Sequence, residues 1–277
     1  MIQNYRMILQ YDGTRYNGWQ RQGNTGNTIQ GKLEDIFSRY FDQPIELQAS
    51  GRTDAGVHSL GQTVSFKVDY GKYGRNGNMD NTKSIDNTCN TEVLQEELNS
   101  YLPEDIKITE LSEVDIRFHA RLNAVEKEYR YYISLDRKKD VFARKYMMSL
   151  EEPDKLDIES MRRASRLMLG EHDFQGFSDN RSNKSTVRTI TSIDFNIKGH
   201  ENFGGKYLEI SFCGNGFLYH TVRLLVGTLL AIGMGKAKED IVEEIFDSRN
   251  RKIVPFMAPA EGLFLYKVKY TRDYLGL

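Results

Sequence analysis

The chain carries the same order of hydrophobic periodicities twice, and this repetition restricts the possible folds more than any other pattern in it. In the first half, alternating apolar and polar residues predict strands, and an apolar face that recurs every three to four residues predicts helices. The predicted elements are strand 6–12, helix 28–41, strands 45–49 and 62–68, helix 92–101 and strand 106–114. Their order is β-α-β-β-α-β.

The second half shows this order again with one added helix. Its predicted elements are strand 126–135, helix 157–169 closed by Gly170, strands 187–197 and 206–213, helices 217–232 and 238–247, and strand 263–271. This is the split-βαβ order of ferredoxin-like and RNA-recognition domains. We therefore predict an α+β chain of two fused β-α-β-β-α-β halves, with mainly antiparallel sheets joined around a central cleft.

The length of the chain agrees with a division into two domains. At 277 residues it exceeds the usual size of one domain, and each half is long enough to bury a core. We predict an N-terminal domain of residues 1–115 and a C-terminal domain of residues 116–277. Residues 69–91 are rich in Gly, Asn, Asp and Thr without an apolar period, so we predict a long flexible loop in the first domain.

Composition excludes several classes of protein. No apolar run approaches the roughly 20 residues that span a bilayer, and the N-terminus lacks the order of a signal peptide. We therefore expect a cytoplasmic protein without a membrane partner. Cys89 and Cys213 form neither a disulfide framework nor a metal-ligand spacing, and the five histidines are scattered. We expect no metal site.

Charge gives a weaker constraint on partners. The net charge of −1 argues against a general nucleic-acid coat, because phosphate binding depends on Lys and Arg. Basic residues nevertheless cluster locally, and each cluster alone favours a solvated surface over a phosphate site. The clusters are Arg137 to Lys139; Arg162, Arg163 and Arg166; Arg181, Lys184 and Arg188; and Arg249, Arg251 and Lys252.

The stretch SGRTDAGVHSLGQ, residues 50–62, concentrates chemically active side chains where we find neither helical nor strand period. Gly51 and Gly56 permit backbone angles that other residues avoid, so Asp54 can be presented at the end of a strand. Arg52 can pair with Asp54 and keep it anionic, or it can bind an RNA phosphate. A structural Asx turn, in which Asp54 caps backbone N–H groups, explains the same residues equally well.

Five segments closely resemble the motifs of the tRNA pseudouridine synthase A (TruA) family, in the same order. They are YDGTRYNGWQRQ at 11–22, SGRTDAGVHSLGQ at 50–62, FHARLNAVEKEYRYYI at 118–133, NGFLYHTVRLLVGTLLAIG at 215–233 and APAEGLFL at 258–265. The resemblance implies isomerisation of uridine to pseudouridine in the anticodon stem-loop of tRNA, at family target positions 38, 39 and 40. The N-glycosidic bond breaks, the base rotates, and C5 bonds to C1′ of the same ribose. The resemblance implies no external cofactor and a homodimer whose tRNA crosses both subunits.

The resemblance also implies roles for individual residues. Asp54 matches the catalytic aspartate, which would attack C1′, deprotonate C2′ to give a glycal, or act at C6 of the base; these routes stay open. Tyr129 matches the active-site tyrosine, whose ring can stack on the target base. Arg223 matches the active-site arginine that pairs with the aspartate. A salt bridge that only stabilises the fold is the alternative for Arg223.

The resemblance implies roles for four further residues, and some of them also have a purely structural explanation. Arg52 would help to extrude the target nucleotide and occupy its place. His58 would shape the loop or contact the RNA backbone, and a buried structural histidine is an equal alternative. Leu263 matches an apolar active-site position, although strand packing explains it equally well. Arg21 would touch RNA, whereas its neighbour Trp19 is typical of a core.

Two departures from the family pattern bear on substrate choice. Thr221 stands where the family usually carries methionine, and the loop at 69–91 is longer and more polar than its counterpart. Neither departure touches the catalytic set. Two other functions stay open as alternatives: a paralogue that modifies other tRNA or rRNA uridines, and a noncatalytic RNA-binding module in which Asp54 only shapes a loop.

Overall fold

The predicted α+β class is confirmed. A computed structural model shows ten strands, mostly antiparallel, and five α-helices among the residues that it describes. The chain divides into two compact units, Met1–Val125 with Lys267–Leu277, and Glu126–Tyr266. The described residues are 1–71, 90–137, 141–179, 184–199 and 205–271.

The first unit has the predicted element order. Strand β1 pairs antiparallel with β3 on one side and with β4 on the other, while the two-residue β2 extends β3. The elements are β1 (Ile2–Tyr11), α1 (Ile29–Tyr40), β2 (Gln48–Ala49), β3 (His58–Asp69), α2 (Thr91–Tyr101) and β4 (Ile106–Val114).

The amphipathic pattern of α1 explains how it packs. Ile29, Leu33 and Phe37 are each at most 1% exposed, and their spacing of four residues places them on one face of the helix. They lie in the same core cluster as the apolar residues of β1 and β3. Thr28 begins the helix by accepting a hydrogen bond from the N–H of Gly31 at 3.2 Å.

The second unit contains more short elements than we predicted. Its strands follow the order β5-β9-β8-β7, with antiparallel pairing throughout, and β6 pairs parallel to β5. The elements are β5 (Ala124–Ser134), β6 (Met148–Ser149), α3 (Ile158–Arg166), β7 (Gly170–Asp173), β8 (Val187–Gly199), β9 (Lys206–Gly214), α4 (Thr221–Gly233), α5 (Ile241–Ser248) and β10 (Leu263–Tyr270).

Several predicted boundaries are wrong. Strand β1 begins at Ile2 instead of residue 6, the strand predicted at 45–49 is only Gln48–Ala49, and three further differences bear on the candidate motifs. Strand β3 already begins at His58, so the second part of the stretch 50–62 is strand. Helix α3 ends at Arg166, and Gly170, with φ of 92°, opens β7 instead of closing the helix. Helix α4 begins at Thr221 instead of 217, because His220 adopts a left-handed φ of 67° that cannot continue a helix.

The boundary between the units falls ten residues later than the predicted end at residue 115. The segment after β4 packs on the first unit, where Asn4 Nδ2 donates to the carbonyls of Asp115 and Phe118 at 2.8 and 3.0 Å. The end of β10 also belongs there, and the hydroxyl of Tyr270 donates to the carbonyl of Ala120. Residues 72–89 of the predicted flexible loop lie outside the described residues. No described helix is both long and apolar enough to cross a membrane.

Candidate active site

The loop that carries Asp54 lies between β2 and β3. The segment after β1 forms hydrogen bonds with the backbone of this loop. The N–H of Trp19 donates to the carbonyl of Thr53 at 3.0 Å, and the N–H of Gly56 donates to the carbonyl of Tyr16 at 3.3 Å. Asp54 is half-buried between these two attachments, and its carbonyl accepts from Val57 N–H at 3.2 Å. The backbone position of Asp54 is therefore set by the N-terminal motif.

Two glycines of that motif make the close approach possible. A Cβ on Gly13 would lie 2.0 Å from the carbonyl oxygen of Val57. Gly18 adopts φ of 87°, and a Cβ there would lie 2.8 Å from the carbonyl oxygen of Thr53. Any side chain at either position would displace the backbone of the Asp54 loop. The motifs at residues 11–22 and 50–62 thus pack directly against each other.

Side chains fix the two ends of the same loop. The hydroxyls of Tyr11 and Thr53 lie 2.8 Å apart, and burial raises the pKa of Tyr11 so that the phenol stays protonated. At the other end Ser50 Oγ donates to Gln62 Oε1 at 2.6 Å, and Gln62 Nε2 donates to the carbonyl of Gly51 at 2.7 Å. Sequence reasoning missed Tyr11, Ser50 and Gln62. Their positions inside the first two motifs were the available signal.

Of the two loop glycines, Gly56 adopts a positive φ of 78°, while Gly51 is not among the described residues that do so. His58 is 1% exposed, and its Nδ1 accepts from the N–H of Gly13 at 3.1 Å. This burial favours the loop-shaping interpretation of His58 over contact with RNA. His58 Nδ1 also lies 3.2 Å from Asp12 Oδ1.

The two other candidate residues of the first unit lie near the surface. Arg52 is exposed beside Asp54 in the sequence. Arg21 is 58% exposed and lies 3.5 Å from Glu34 and 3.4 Å from Asp35, both on α1. Trp19 is 2% exposed in the core, as predicted for it. Arg52 and Arg21 can therefore reach a ligand from solvent, whereas Trp19 cannot.

In the second unit Tyr129 lies on β5 opposite Phe212 of β9. Its side chain is 8% exposed, and its ring meets that of Phe217 edge to face, with centroids 5.2 Å apart. Phe217 belongs to the irregular segment that leads into α4. The ring plane of Tyr129 is therefore fixed by an aromatic neighbour from another candidate motif.

Arg223 is half-buried in the first turn of α4 and ties this helix to the segment before β10. Its Nε donates to the carbonyl of Ala258 at 2.7 Å, and the N–H of Ala258 donates to the carbonyl of Arg223 at 3.0 Å. Leu263, at the start of β10, is 5% exposed. The sequence resemblance did not reveal that Arg223 also has this backbone role.

Tyr131 supports the same segment from the neighbouring strand. It is fully buried, burial raises its pKa, and its protonated hydroxyl donates to the carbonyl of Pro259 at 2.9 Å. Tyr131 is therefore a core residue that also holds the backbone of the segment before β10. Thr221, which stands where the family usually carries methionine, is 2% exposed. Its Oγ1 has no hydrogen-bond partner within the described part of the chain.

The candidates are divided between the two units. Arg21, Arg52, Asp54 and His58 belong to the first, while Tyr129, Arg223 and Leu263 belong to the second. The pairing of Asp54 with Arg223 stays a prediction. Within the described residues, no group of three or more His, Cys, Asp or Glu side chains is arranged to hold a metal ion.

Comparisons with known proteins agree with the sequence motifs. Residues 7–123 and 164–271 match the model of a family described as tRNA pseudouridine synthase. A tRNA pseudouridine synthase A from Bacillus sp. (strain KSM-64) is 43% identical over 270 residues, which cover 97% of this chain and 100% of the relative. A tRNA pseudouridine synthase A 2 from Bacillus cereus (strain ZK / E33L) is 37% identical over the same shares.

A third relative, tRNA pseudouridine synthase A from Acetivibrio thermocellus, is 38% identical over 270 residues, again 97% of this chain and 100% of its own length. A crystal structure of an unknown protein from Galdieria sulphuraria covers 89% of this chain and 95% of its own at 12% identity, but its TM-score of 0.21 carries no weight. From the family match and these relatives, the chain belongs to the tRNA pseudouridine synthase family, a family of isomerases.

Proposed function

We propose that this protein isomerises uridine to pseudouridine in the anticodon stem-loop of tRNA, with Asp54 as its catalytic nucleophile. The observation that carries the proposal is the attachment of the Asp54 loop to the N-terminal motif at Thr53 and Gly56, which fixes a half-buried carboxylate on a rigid support. Catalytic groups need such support, because small displacements of a reacting atom cost large factors in rate. A turn that only ended a strand would not need attachments on both sides of Asp54.

The other candidates have complementary roles in this proposal. Tyr129, held edge to face by Phe217, presents an aromatic side chain on which the target base stacks. Arg223 carries a positive charge that keeps the Asp54 carboxylate ionised. Arg52 is exposed and fills the place that the target nucleotide leaves in the stem. Arg21 lies on the surface as a further RNA contact, and Leu263 contributes an apolar wall.

Balance of the reaction explains why no redox partner is required. The bond from N1 of the base to C1′ breaks, C5 bonds to C1′, and the hydrogen on C5 leaves as a proton while N1 gains one. Asp54 attacks C1′, takes a proton from C2′ or adds to C6, and each route uses an ionised carboxylate. Release of the C5 hydrogen is common to all three, so it reports turnover without choosing a route.

The deciding experiment compares wild type with Asp54→Asn on tRNA transcripts that carry tritium at C5 of uridine. We expect the wild type to release tritium from uridines at positions 38 to 40, and the variant to release none while it binds tRNA with nearly unchanged affinity. One carboxylate contributes little to the phosphate contacts that dominate RNA affinity. Site mapping of the product identifies the uridines.

Asp42→Asn is the matched control, since it removes the same charge from an exposed position of the same unit, and asparagine tolerates the positive φ of 49° there. This control should keep full turnover. Full turnover by Asp54→Asn would overturn the catalytic assignment and favour a loop-shaping role. Wild-type release at other tRNA or rRNA uridines would instead support the paralogue with another target.

We also infer a homodimer in the cytoplasm. The inference rests on the resemblance of the five sequence motifs to the tRNA pseudouridine synthase A family, which implies a homodimer whose tRNA crosses both subunits, and on the relatives that carry that name. No described helix could span a membrane, and this agrees with the proposed compartment.

A further inference from the structure

A tyrosine at the entrance to α4 stands out because a large aromatic ring is held toward solvent. Tyr219 is 55% exposed, although its neighbours in the segment 215–218 are mostly half-buried. Its ring stacks on that of His220, with centroids 3.6 Å apart and planes inclined by 28°. The roles assigned above to Tyr129, Arg223 and Asp54 make no use of this pair.

The backbone at Tyr219 is fixed from the side of the preceding loop. Its carbonyl accepts from the N–H of Asp179 at 3.2 Å and from Ser178 Oγ at 3.3 Å. At the other end of the segment, the side chain of Asn215 accepts from the N–H of Thr189 on β8 at 3.1 Å. The aromatic pair therefore sits on an anchored segment, so binding a planar ligand costs little ordering entropy.

The imidazole of His220 contacts a network of charged side chains. Its Nδ1 lies 2.7 Å from Asp179 Oδ2, and the other carboxylate oxygen lies 3.0 Å from Arg251 Nε. The left-handed φ of 67° at His220 persists because these contacts, together with the first turn of α4, over-determine it. The network orients the imidazole ring that supports Tyr219.

One guanidinium and one residue of the candidate active site contact the segment that carries this pair. A Cβ on Gly216 would lie 3.6 Å from the Nε of Arg188, which places a guanidinium beside the segment. Phe217, two residues before Tyr219, contacts Tyr129 at 5.2 Å between ring centroids. One short segment thus contacts the proposed base-stacking tyrosine and exposes a second aromatic ring.

We propose that Tyr219, supported by His220, is a stacking platform for an unpaired nucleotide of the substrate RNA that flanks the target uridine. The proposal rests on the proposed function, because extrusion of a target base unstacks its neighbours and leaves their faces open. Proteins that bind unpaired RNA combine aromatic platforms with nearby Arg or Lys side chains, which is the combination present here.

The test measures binding and turnover separately, with a fluorescent anticodon stem-loop RNA and with full-length tRNA. We expect Tyr219→Ala to raise the Kd and the KM about tenfold, the effect of losing one stacked base. The kcat at saturating tRNA should stay within about twofold, because the platform does not touch the reacting atoms. Tyr219→Phe keeps the ring and should match the wild type.

Tyr101→Ala is the matched control: this tyrosine is 62% exposed, but it lies in the first unit at the end of α2. It should leave Kd and KM unchanged. Tyr219→Leu keeps a large apolar side chain but has no aromatic ring, so it should bind RNA as weakly as Tyr219→Ala. This variant serves as the test if the alanine variant is unstable. Wild-type binding by the leucine variant, or equal losses in the phenylalanine and alanine variants, would overturn the platform.

Failure of this inference and failure of the proposed function give different results. A wild type that releases no tritium, yet binds RNA in a manner that depends on the ring at position 219, would remove the proposed function and keep the platform. Turnover by Tyr219→Ala with unchanged Kd and KM would remove the platform and keep the function.

Discussion

At the scale of single residues, the position of Asp54 depends on two glycines, because neither has a Cβ atom that would collide with the Asp54 loop. Gly13 and Gly18 lie so close to the Asp54 loop that a Cβ on either would meet a backbone carbonyl, at 2.0 and 2.8 Å respectively. A backbone carbonyl cannot rotate away as a side chain can. These glycines therefore act on Asp54 through its backbone and not through any chemistry of their own.

Gly18→Ala is expected to lower both stability and turnover. Its φ of 87° imposes a left-handed backbone on alanine, which costs about 1–2 kcal/mol, and the new methyl group pushes the carbonyl of Thr53. A displacement near 1 Å at Asp54 corresponds to a loss of about a hundredfold in turnover. Tritium release and thermal unfolding check both quantities.

The control for this prediction is Gly23→Ala, because nothing lies within 4 Å of a Cβ built at that glycine. It should change the free energy of unfolding by no more than about 0.5 kcal/mol. Wild-type activity in Gly18→Ala would mean that the Asp54 loop adapts, contrary to the rigid support inferred above.

At the scale of elements, the entrance to α4 is stabilised by a loop side chain that the sequence pattern did not indicate. Burial acts to raise the pKa of Asp179, but the hydrogen bond to His220 and the charge of Arg251 outweigh it and lower this pKa below its ordinary value. The folded protein therefore favours the ionised carboxylate, and the benefit exists only at pH values where Asp179 is ionised.

Asp179→Asn is expected to reduce the free energy of unfolding by about 1 kcal/mol near neutral pH, a value that allows for solvent screening of this partly exposed group. Because the folded pKa is lowered, the wild type should lose this advantage as the pH falls through the ordinary aspartate pKa of about 3.9 and below it. Urea unfolding of both proteins at several pH values measures the difference. A difference that grew on acidification would contradict the ionised network.

At the scale of the whole molecule, the proposed catalytic set draws on both compact units. Asp54 belongs to the first unit, while Tyr129 and Arg223 belong to the second. A catalytic role for Arg223 therefore requires both units to contribute to one reaction, whereas its hydrogen bond to the carbonyl of Ala258 lies within the second unit alone. Loss of Arg223 separates these two roles.

Arg223→Ala should reduce turnover by about a hundredfold or more, because under the proposed function it removes the charge that keeps the Asp54 carboxylate ionised. The melting temperature should fall by only a few degrees, since one hydrogen bond contributes about 1 kcal/mol. Arg223→Lys should recover little activity, because an ammonium lacks the planar geometry of a guanidinium. Single-turnover tritium release and calorimetry give the two quantities.

Arg166→Ala, at the exposed end of α3, is the matched loss of charge and should leave both quantities unchanged. An Arg223→Ala protein that failed to fold would favour the purely structural interpretation of this arginine.

The sequence alone was sufficient for the α+β class, the element order of the first unit, the buried face of α1 and the family. These depend on local periodicity and on motifs that can be read without knowing the contacts of the chain. It was insufficient for the start of β3 at His58, the left-handed His220 before α4, and the packing of Gly13 and Gly18 on the Asp54 loop. Contacts between residues far apart in sequence decided these features: a backbone conformation that no local pattern favours persists only when distant hydrogen bonds, such as those of Asp179, hold it.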